Sequence, residues 1–291
     1  MAPRLGVVFV PTLPPEALGP LARAADEHLD ELWLWEDCFK EAALGAAGAA
    51  LAWTDRVRVG IGLMPAPLRT VAVLAMELAT LHRLFPGRLL PGVGHGVQDW
   101  MGQVGGRPGS PLTLLEEYTT ALRALLDGEE VTTDGRYVHL DRVRLDWPPP
   151  AGTPLLLGGT GPRTLSLAGR LGDGVLLASA LSEEEVAEQV GHARAGRPAG
   201  AEGDLPVVVN LVVATGAGAQ DRVDADLRAW GHDDGAPGRG VAGDAAEVAA
   251  TVARLGELGV TSVAVQPTAD EPDVEGLVRF VGTEVRAALE G

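Results

Sequence analysis

A single cysteine, Cys38, and a single lysine, Lys40, stand in a chain of 291 residues, and positive charge is scarce throughout. There are 23 Lys and Arg against 40 Asp and Glu, a formal net charge of −17. One cysteine permits no internal disulfide and fits a reducing compartment, so a cytoplasmic location is expected. The charge argues against nucleic acid, which calls for a basic patch, and against an anionic membrane surface. No Lys/Arg cluster reverses it locally. No window approaches 18 uninterrupted apolar residues, so no membrane span is expected. The apolar run at residues 5–10 is too short for the core of a signal peptide. G-x-S-x-G elbow, P-loop and paired carboxylates are also missing, which leaves hydrolase and kinase chemistry without support. His28, His82, His139, His192 and His232 have no partner at metal-ligand spacing, so no metal is expected.

What the chain does have is alternation. Strand-like and helix-like runs follow one another over its whole length, and 46% of the residues are hydrophobic. Residues 56–101 set the pattern. A β-branched run (56–63) suits a strand covered on both faces, and Met64-Pro65-Ala66-Pro67 should stop it, since proline cannot donate to a ladder. Leu74, Leu78 and Leu81 recur at helical spacing, Pro86-Gly87 ends the helix, and residues 88–93 return as a strand closed by Gly92-Val93-Gly94-His95-Gly96. Further strands are expected at 5–10, 31–35, 154–157, 175–178, 205–214 and 260–266. Further helices are expected at 15–28, 40–53, 112–126, 244–258 and 272–289, with another from 182 opened by Ser182-Glu183-Glu184-Glu185. Asp134-Gly135 reads as a hairpin turn in an insertion after the fourth helix. Residues 231–243, polar and glycine-rich, read as a mobile loop. Eight βα units favour a closed (β/α)8 TIM barrel, one domain over 1–291, above an open doubly wound sheet.

In such a barrel chemistry gathers at the C-terminal ends of the strands. Those ends offer Glu36, Asp37 and Cys38; Gly62, Leu63 and Met64; Gly94, His95 and Gly96, with Gln98 and Asp99 beyond; residues 158–163; Ser179; and Thr215. His95 is an acid/base candidate because imidazole titrates nearest neutrality. Asp37 can move a proton or orient a cofactor, or simply cap the next helix. Cys38 can be a nucleophile or inert packing. The loop Gly158-Gly159-Thr160-Gly161-Pro162 opens a helix whose N–H groups suit an anion, with Arg163 or Thr164 adding a contact. Its plain alternative is a βα turn capped by Thr160. The Ala/Gly-rich helix at 40–53 leaves little polar face, and burial on more than one side is expected of it.

Four stretches carry a resemblance: LWLWEDCF, GIGLMPAPLRTVAVLAMELATLHRLFPGRLLPGVGHG, PLLLGGTGPRTLSLAGRLGDGVLLA and VAGDAAEVAATVARLGELGVTSVAVQP. In order, and across strands two to eight, they resemble the bacterial luciferase-like monooxygenase superfamily, barrels that use flavin mononucleotide (FMN) or the deazaflavin coenzyme F420. The resemblance implies a bulge at Gly62-Leu63, often with a non-prolyl cis peptide, supporting the cofactor ring beside Met64. It also implies a phosphate held by Gly159, Thr160 and Gly161. From their own positions at the strand ends, Gly94, Gly96 and Arg163 are added to the expected cofactor site, and Asp37 and His95 are the expected catalytic residues. Two departures are visible. F420-dependent relatives usually carry Asp-His where this chain has Asp37-Cys38, and Val97 stands where some carry an acid. The composition and the Asp37-Cys38-Phe39 variant are closer to the F420 branch, which implies hydride transfer to or from a small organic substrate. An FMN monooxygenase fed by a separate reductase, or a cofactor-binding protein without turnover, are the alternatives. The acidic chain would need arginines such as Arg69 or Arg163 to screen the polyglutamate tail of F420. Related barrels pair through their second and third helices, so a homodimer is expected.

Overall fold

A computed structural model describes residues 2–201 and 203–291. Eight parallel strands close on themselves: β1 (Arg4–Phe9), β2 (Glu31–Leu34), β3 (Arg58–Pro65), β4 (Leu89–Gly94), β7 (Leu156–Gly158), β8 (Gly174–Ser179), β9 (Val207–Ala214) and β11 (Ser262–Pro267). The intervening numbers belong to an antiparallel pair, β5 (Val131–Asp134) and β6 (His139–Val143), and to a short strand β10 (Gly240–Ala242). The helices are α1 (Leu18–His28), α2 (Ala43–Trp53), α3 (Val71–Leu84), α4 (Gln98–Gln103), α5 (Pro111–Leu126), α6 (Pro162–Leu171), α7 (Glu183–Gly196), α8 (Ala219–Ala229), α9 (Ala245–Glu257), α10 (Val274–Phe280) and α11 (Arg286–Glu290). The expected (β/α)8 barrel and the hairpin after its fourth helix, α5, are therefore present. The hairpin turn is longer than Asp134-Gly135 suggests, because Asp134 still pairs with His139.

Two apolar layers form. Leu5, Val7, Val59, Ile61 and Leu89 face outward into the layer beneath the helices, while Val8, Val10, Trp33, Trp35, Leu156, Leu176 and Val208 fill the barrel. This is strand alternation in a sheet buried on both faces. Room for Trp33 comes from Gly60, where a Cβ would lie 2.3 Å from the indole. Glu31 plugs the N-terminal end: its buried carboxylate accepts the Trp33 indole N–H at 2.8 Å and also bonds Ser262 and Arg58.

Three expectations need correction. β3 does not stop at residue 63; a register shift after Ile61 lets it continue, and Met64 and Pro65 pair with Val93 and Gly94. Proline is tolerated there because the bulge has already re-aimed the strand. The second is α8, which the sequence reading passes over; its mean composition is polar and its apolar positions are few. The third concerns residues 231–243, which are tethered. Arg239 is 6% exposed and its guanidinium binds Asp234 twice, Glu185 and the Ala180 carbonyl. β10 then pairs with Val212 to Ala214, whereas β8 pairs with β9 only as far as Asn210. The seam between β8 and β9 thus opens at the C-terminal end, where a wide mouth is needed.

Helices α6 and α7 touch backbone to backbone. A Cβ on Gly169 would sit 1.8 Å from the Ala193 carbonyl oxygen, and one on Gly196 would sit 2.0 Å from that of Ser166. Gly169→Val is expected to lower unfolding stability by about 1–3 kcal/mol, read from the urea midpoint, because neither main chain can yield without separating the helices.

His82 gives a pH-dependent term. It is 1% exposed, and neither ring nitrogen has a hydrogen-bond partner among the described residues. Burial lowers its pKa to about 4 from 6.5. The neutral ring's contribution is complete above pH 6.5 and is lost as pH falls from there through about 4, because the unfolded chain takes up a proton that the folded chain refuses. Urea midpoints at pH 7 and pH 5 should differ less in His82→Leu than in the parent protein.

Candidate active site

The C-terminal strand ends surround a cavity of about 310 Å³. Leu63 and Leu176 close its base, and glycines make that possible. A Cβ on Gly94 or Gly158 would each come within 2.5 Å of Leu63, and one on Gly92 within 2.1 Å of Leu176. The expected bulge lies here, with a cis peptide between Gly62 and Leu63; a second non-prolyl cis peptide joins Cys38 to Phe39.

The candidate residues divide. Asp37, Gly62, Leu63, His95, Gly96, Gly159 and Thr160 line the cavity. Met64 does not. Its side chain is 1% exposed and packs in the layer under the helices, since alternation after the bulge turns it outward. Gly94 lies behind Leu63 and serves that packing. Gly161 is the N-cap of α6, with open space where a side chain would be, and Arg163 is exposed beside a separate surface groove formed with Glu116 and Arg170.

Asp37 is half-buried, and no side-chain hydrogen bond holds its carboxyl among the described residues. Burial raises its pKa, an effect that Lys40 partly offsets. An unpartnered carboxyl tuned upward at a cavity wall is what proton transfer requires. His95 sits opposite in sequence role but is more constrained. Its Nε2 is 3.0 Å from Thr164 Oγ1, which ties the β4 loop to the first turn of α6. Burial lowers the His95 pKa, with a counter-effect from the Pro111 carbonyl, so the neutral ring is favoured. Gln98 supports the loop by donating to the carbonyls of His95 and Gly96.

Cys38 does not line the cavity. Burial, then the carboxylates of Glu36 and Asp37, push its thiol pKa up, the opposite of an activated nucleophile. Arg69 is not available to an external anion. Its guanidinium makes a two-pronged contact with Glu36, at 2.6 and 2.5 Å, and lies 3.5 Å from Glu77. Glu36 in turn accepts the Ala43 backbone N–H at the start of α2. A buried ion pair thus pins the segment that presents Asp37.

The glycine loop leads into α6 without a cap. Among the described residues no side chain, Thr160 included, accepts from the first N–H groups of α6; α3 and α5 are likewise uncapped, whereas Ser182 and Asp244 cap α7 and α9 through complete capping boxes. A Cβ at Gly159 would meet Thr164 at 2.3 Å, so the bare backbone there is required by packing. Open N–H groups at a helix start are of the kind that can receive an anion.

Several lining residues escape the sequence reading: Trp35, Trp100, Trp230, Leu176 and Asn210. Asn210 had a signal, as the single polar residue in VVVNLVVA; its amide donates to Ser179 Oγ at 3.0 Å. Trp230 had none, since it follows α8 in a polar stretch. Its indole meets Trp35 edge-to-face, with centroids 6.0 Å apart.

Comparison with known proteins bears on this arrangement. The family described as luciferase-like monooxygenase matches residues 8–254. A 5,10-methylenetetrahydromethanopterin reductase of Methanolobus tindarius is 30% identical over 198 residues, 66% of this chain and 60% of that protein. An F420-dependent glucose-6-phosphate dehydrogenase of Nakamurella multipartita is 32% identical over 178 residues, 57% of this chain and 52% of that one. The matches thus span little more than half the length of these relatives. Among solved structures, the coenzyme F420-dependent tetrahydromethanopterin reductase of Methanopyrus kandleri superimposes with a TM-score of 0.82, at 20% identity, over 99% of this chain and 100% of that one.

Proposed function

The chain belongs to the luciferase-like monooxygenase family, and from that premise we propose that it is an F420-dependent oxidoreductase acting on a small organic substrate. The observation that carries the reading is the pairing of the uncapped α6 terminus with a cavity whose base is the Gly62-Leu63 bulge. The residues present suit such a cofactor. The N–H groups behind Gly159 and Thr160 would hold its phosphate, and Gly62 and Leu63 would support its ring. The relatives named for F420 favour the deazaflavin over FMN. When bound, the coenzyme supplies a hydride acceptor or donor at its ring.

The chain's own part is to bind, orient and manage a proton. Asp37 takes the proton from a substrate hydroxyl, or returns one to a carbonyl oxygen, with the raised pKa that burial gives it. Neutral His95, its Nε2 engaged by Thr164 and its Nδ1 buried, fixes the wall beside the start of α6. Leu63, Leu176 and Trp35 keep water from the base of the cavity. Arg163, exposed in the first turn of α6 beside a separate groove, is the remaining basic candidate for an anionic tail, since Arg69 is paired with Glu36.

The reading extends to a homodimer. One side of α2 packs on the barrel through Ala43, Ala47 and Ala50, while Trp53 is half exposed; on α3, Val73, Met76 and Leu84 are exposed. Light scattering at micromolar concentration should give twice the 30.1 kDa chain mass, and a monomer removes this part.

Absorbance titration with F420 and with FMN tests the whole. Saturable F420 binding and hydride exchange with a substrate panel are expected. Preference for FMN with oxygen-dependent turnover would instead make the protein a monooxygenase served by a separate reductase. Binding without exchange on any substrate would make it a non-catalytic carrier.

A further inference from the structure

We infer that the substrate chamber of this cavity accepts compact, uncharged, mainly apolar molecules and rejects phosphorylated or carboxylated ones, with Trp230 as the specificity-determining wall. The inference rests on the reading of the cavity as the active site and goes beyond it in naming a substrate class.

Charge is the first ground. No Lys or Arg lines the cavity among the described residues, and two of its lining side chains, Glu36 and Asp37, are acidic. Arg69, which touches Glu36, is fully engaged there and by Glu77. An anionic group entering the chamber would shed water and find no cation, a loss of several kcal/mol in general. The uncapped α6 terminus could receive one phosphate, but the proposed coenzyme uses it.

Polarity is the second. Three tryptophans, Trp35, Trp100 and Trp230, line the cavity together with Leu63, Pro65 and Leu176. Asn210 and Ser179 are bonded to each other. A polyol would leave most of its hydroxyls without partners, whereas one substrate oxygen can be served by Asp37.

Trp230 is the third. Its ring stands at 85° to that of Trp35, and its backbone N–H is tied to the carbonyls of Asp226 and Leu227 at the end of α8. Asp226, 8% exposed, accepts the Ala269 N–H from the loop after β11. The indole, 47% exposed, is thus seated edge-on against Trp35 and carried by a main chain anchored to α8.

The test uses matched probes on the full chain: cyclohexanol, cyclohexanecarboxylate and glucose 6-phosphate, followed by ligand-observed NMR with and without saturating F420. Cyclohexanol should bind saturably, with no detectable binding of the two anions at the same concentration when F420 is present. Trp230→Ala should weaken cyclohexanol about tenfold, the effect of losing one aromatic contact and its covered area, and Trp230→Phe should hold it within about threefold. The inference is overturned if either anion binds as tightly as cyclohexanol, or if folded Trp230→Ala leaves the cyclohexanol affinity unchanged. Failure of F420 to bind would sink the proposed function separately, while the cofactor-free cyclohexanol titration of Trp230→Ala against the parent would still decide the chamber wall.

Discussion

Asp37→Asn is expected to lower turnover by about 10²- to 10⁴-fold, the usual loss when a general acid–base group is removed, with F420 affinity within a few-fold of the parent. The carboxyl faces the cavity, has no side-chain hydrogen bond to lose, and is isosteric with the amide that replaces it, so the fold should be untouched. Burial raises its pKa, so for alcohol oxidation the acidic limb of the rate profile should lie above the ordinary aspartate value and vanish in the variant. His95→Asn provides the contrast. Because Nε2 is already engaged by Thr164, its removal should cost less rate than Asp37→Asn and should disturb the α6 terminus as well. Steady-state rates against pH for both variants decide between the two groups. Equal losses would mean that Asp37 is not the principal proton carrier.

Arg69→Met is expected to destabilise the protein by about 3–5 kcal/mol in urea unfolding, the characteristic loss when one member of a buried ion pair is removed. Glu36 is 9% exposed, and without the guanidinium its carboxylate would keep only the Ala43 N–H. The methionine fills the aliphatic volume, which separates lost charge from lost packing. The double variant Glu36→Gln/Arg69→Met should recover most of the loss, because no unpaired charge remains. Since the pair holds the residue before Asp37, the single variant should also lower turnover in the fraction that stays folded. A single variant as stable as the parent would show that the pair contributes nothing at this site.

The fold was legible because its signals are local and repeated. Leu115, Tyr118, Leu122 and Leu125 at helical spacing, valine-rich strands and glycines at their ends report burial directly. The Gly62-Leu63 bulge, in contrast, was reached through family resemblance, since Met64-Pro65 by itself reads as a strand stop. The site was half legible. Asp37, His95 and the Gly159 loop stand at strand ends where the barrel directs chemistry, and the structure brings them to one cavity. Met64 reads as a cavity residue from the sequence but faces outward, because a bulge reverses alternation, which no count along the chain reveals. Arg69 reads as a cation free to screen the polyglutamate tail because its partner Glu36 is 33 residues away. Trp230 was invisible for the same reason: its meaning depends on Trp35, nearly two hundred positions earlier.

A crystal structure of the protein soaked with F420 tests the central claim most directly. The deazaflavin ring is expected against Gly62 and Leu63, with the phosphate on the backbone of Gly159 and Thr160 at the start of α6 and Asp37 facing the open side of the ring. A coenzyme bound elsewhere on the barrel, or a phosphate held by arginine side chains away from α6, would contradict it.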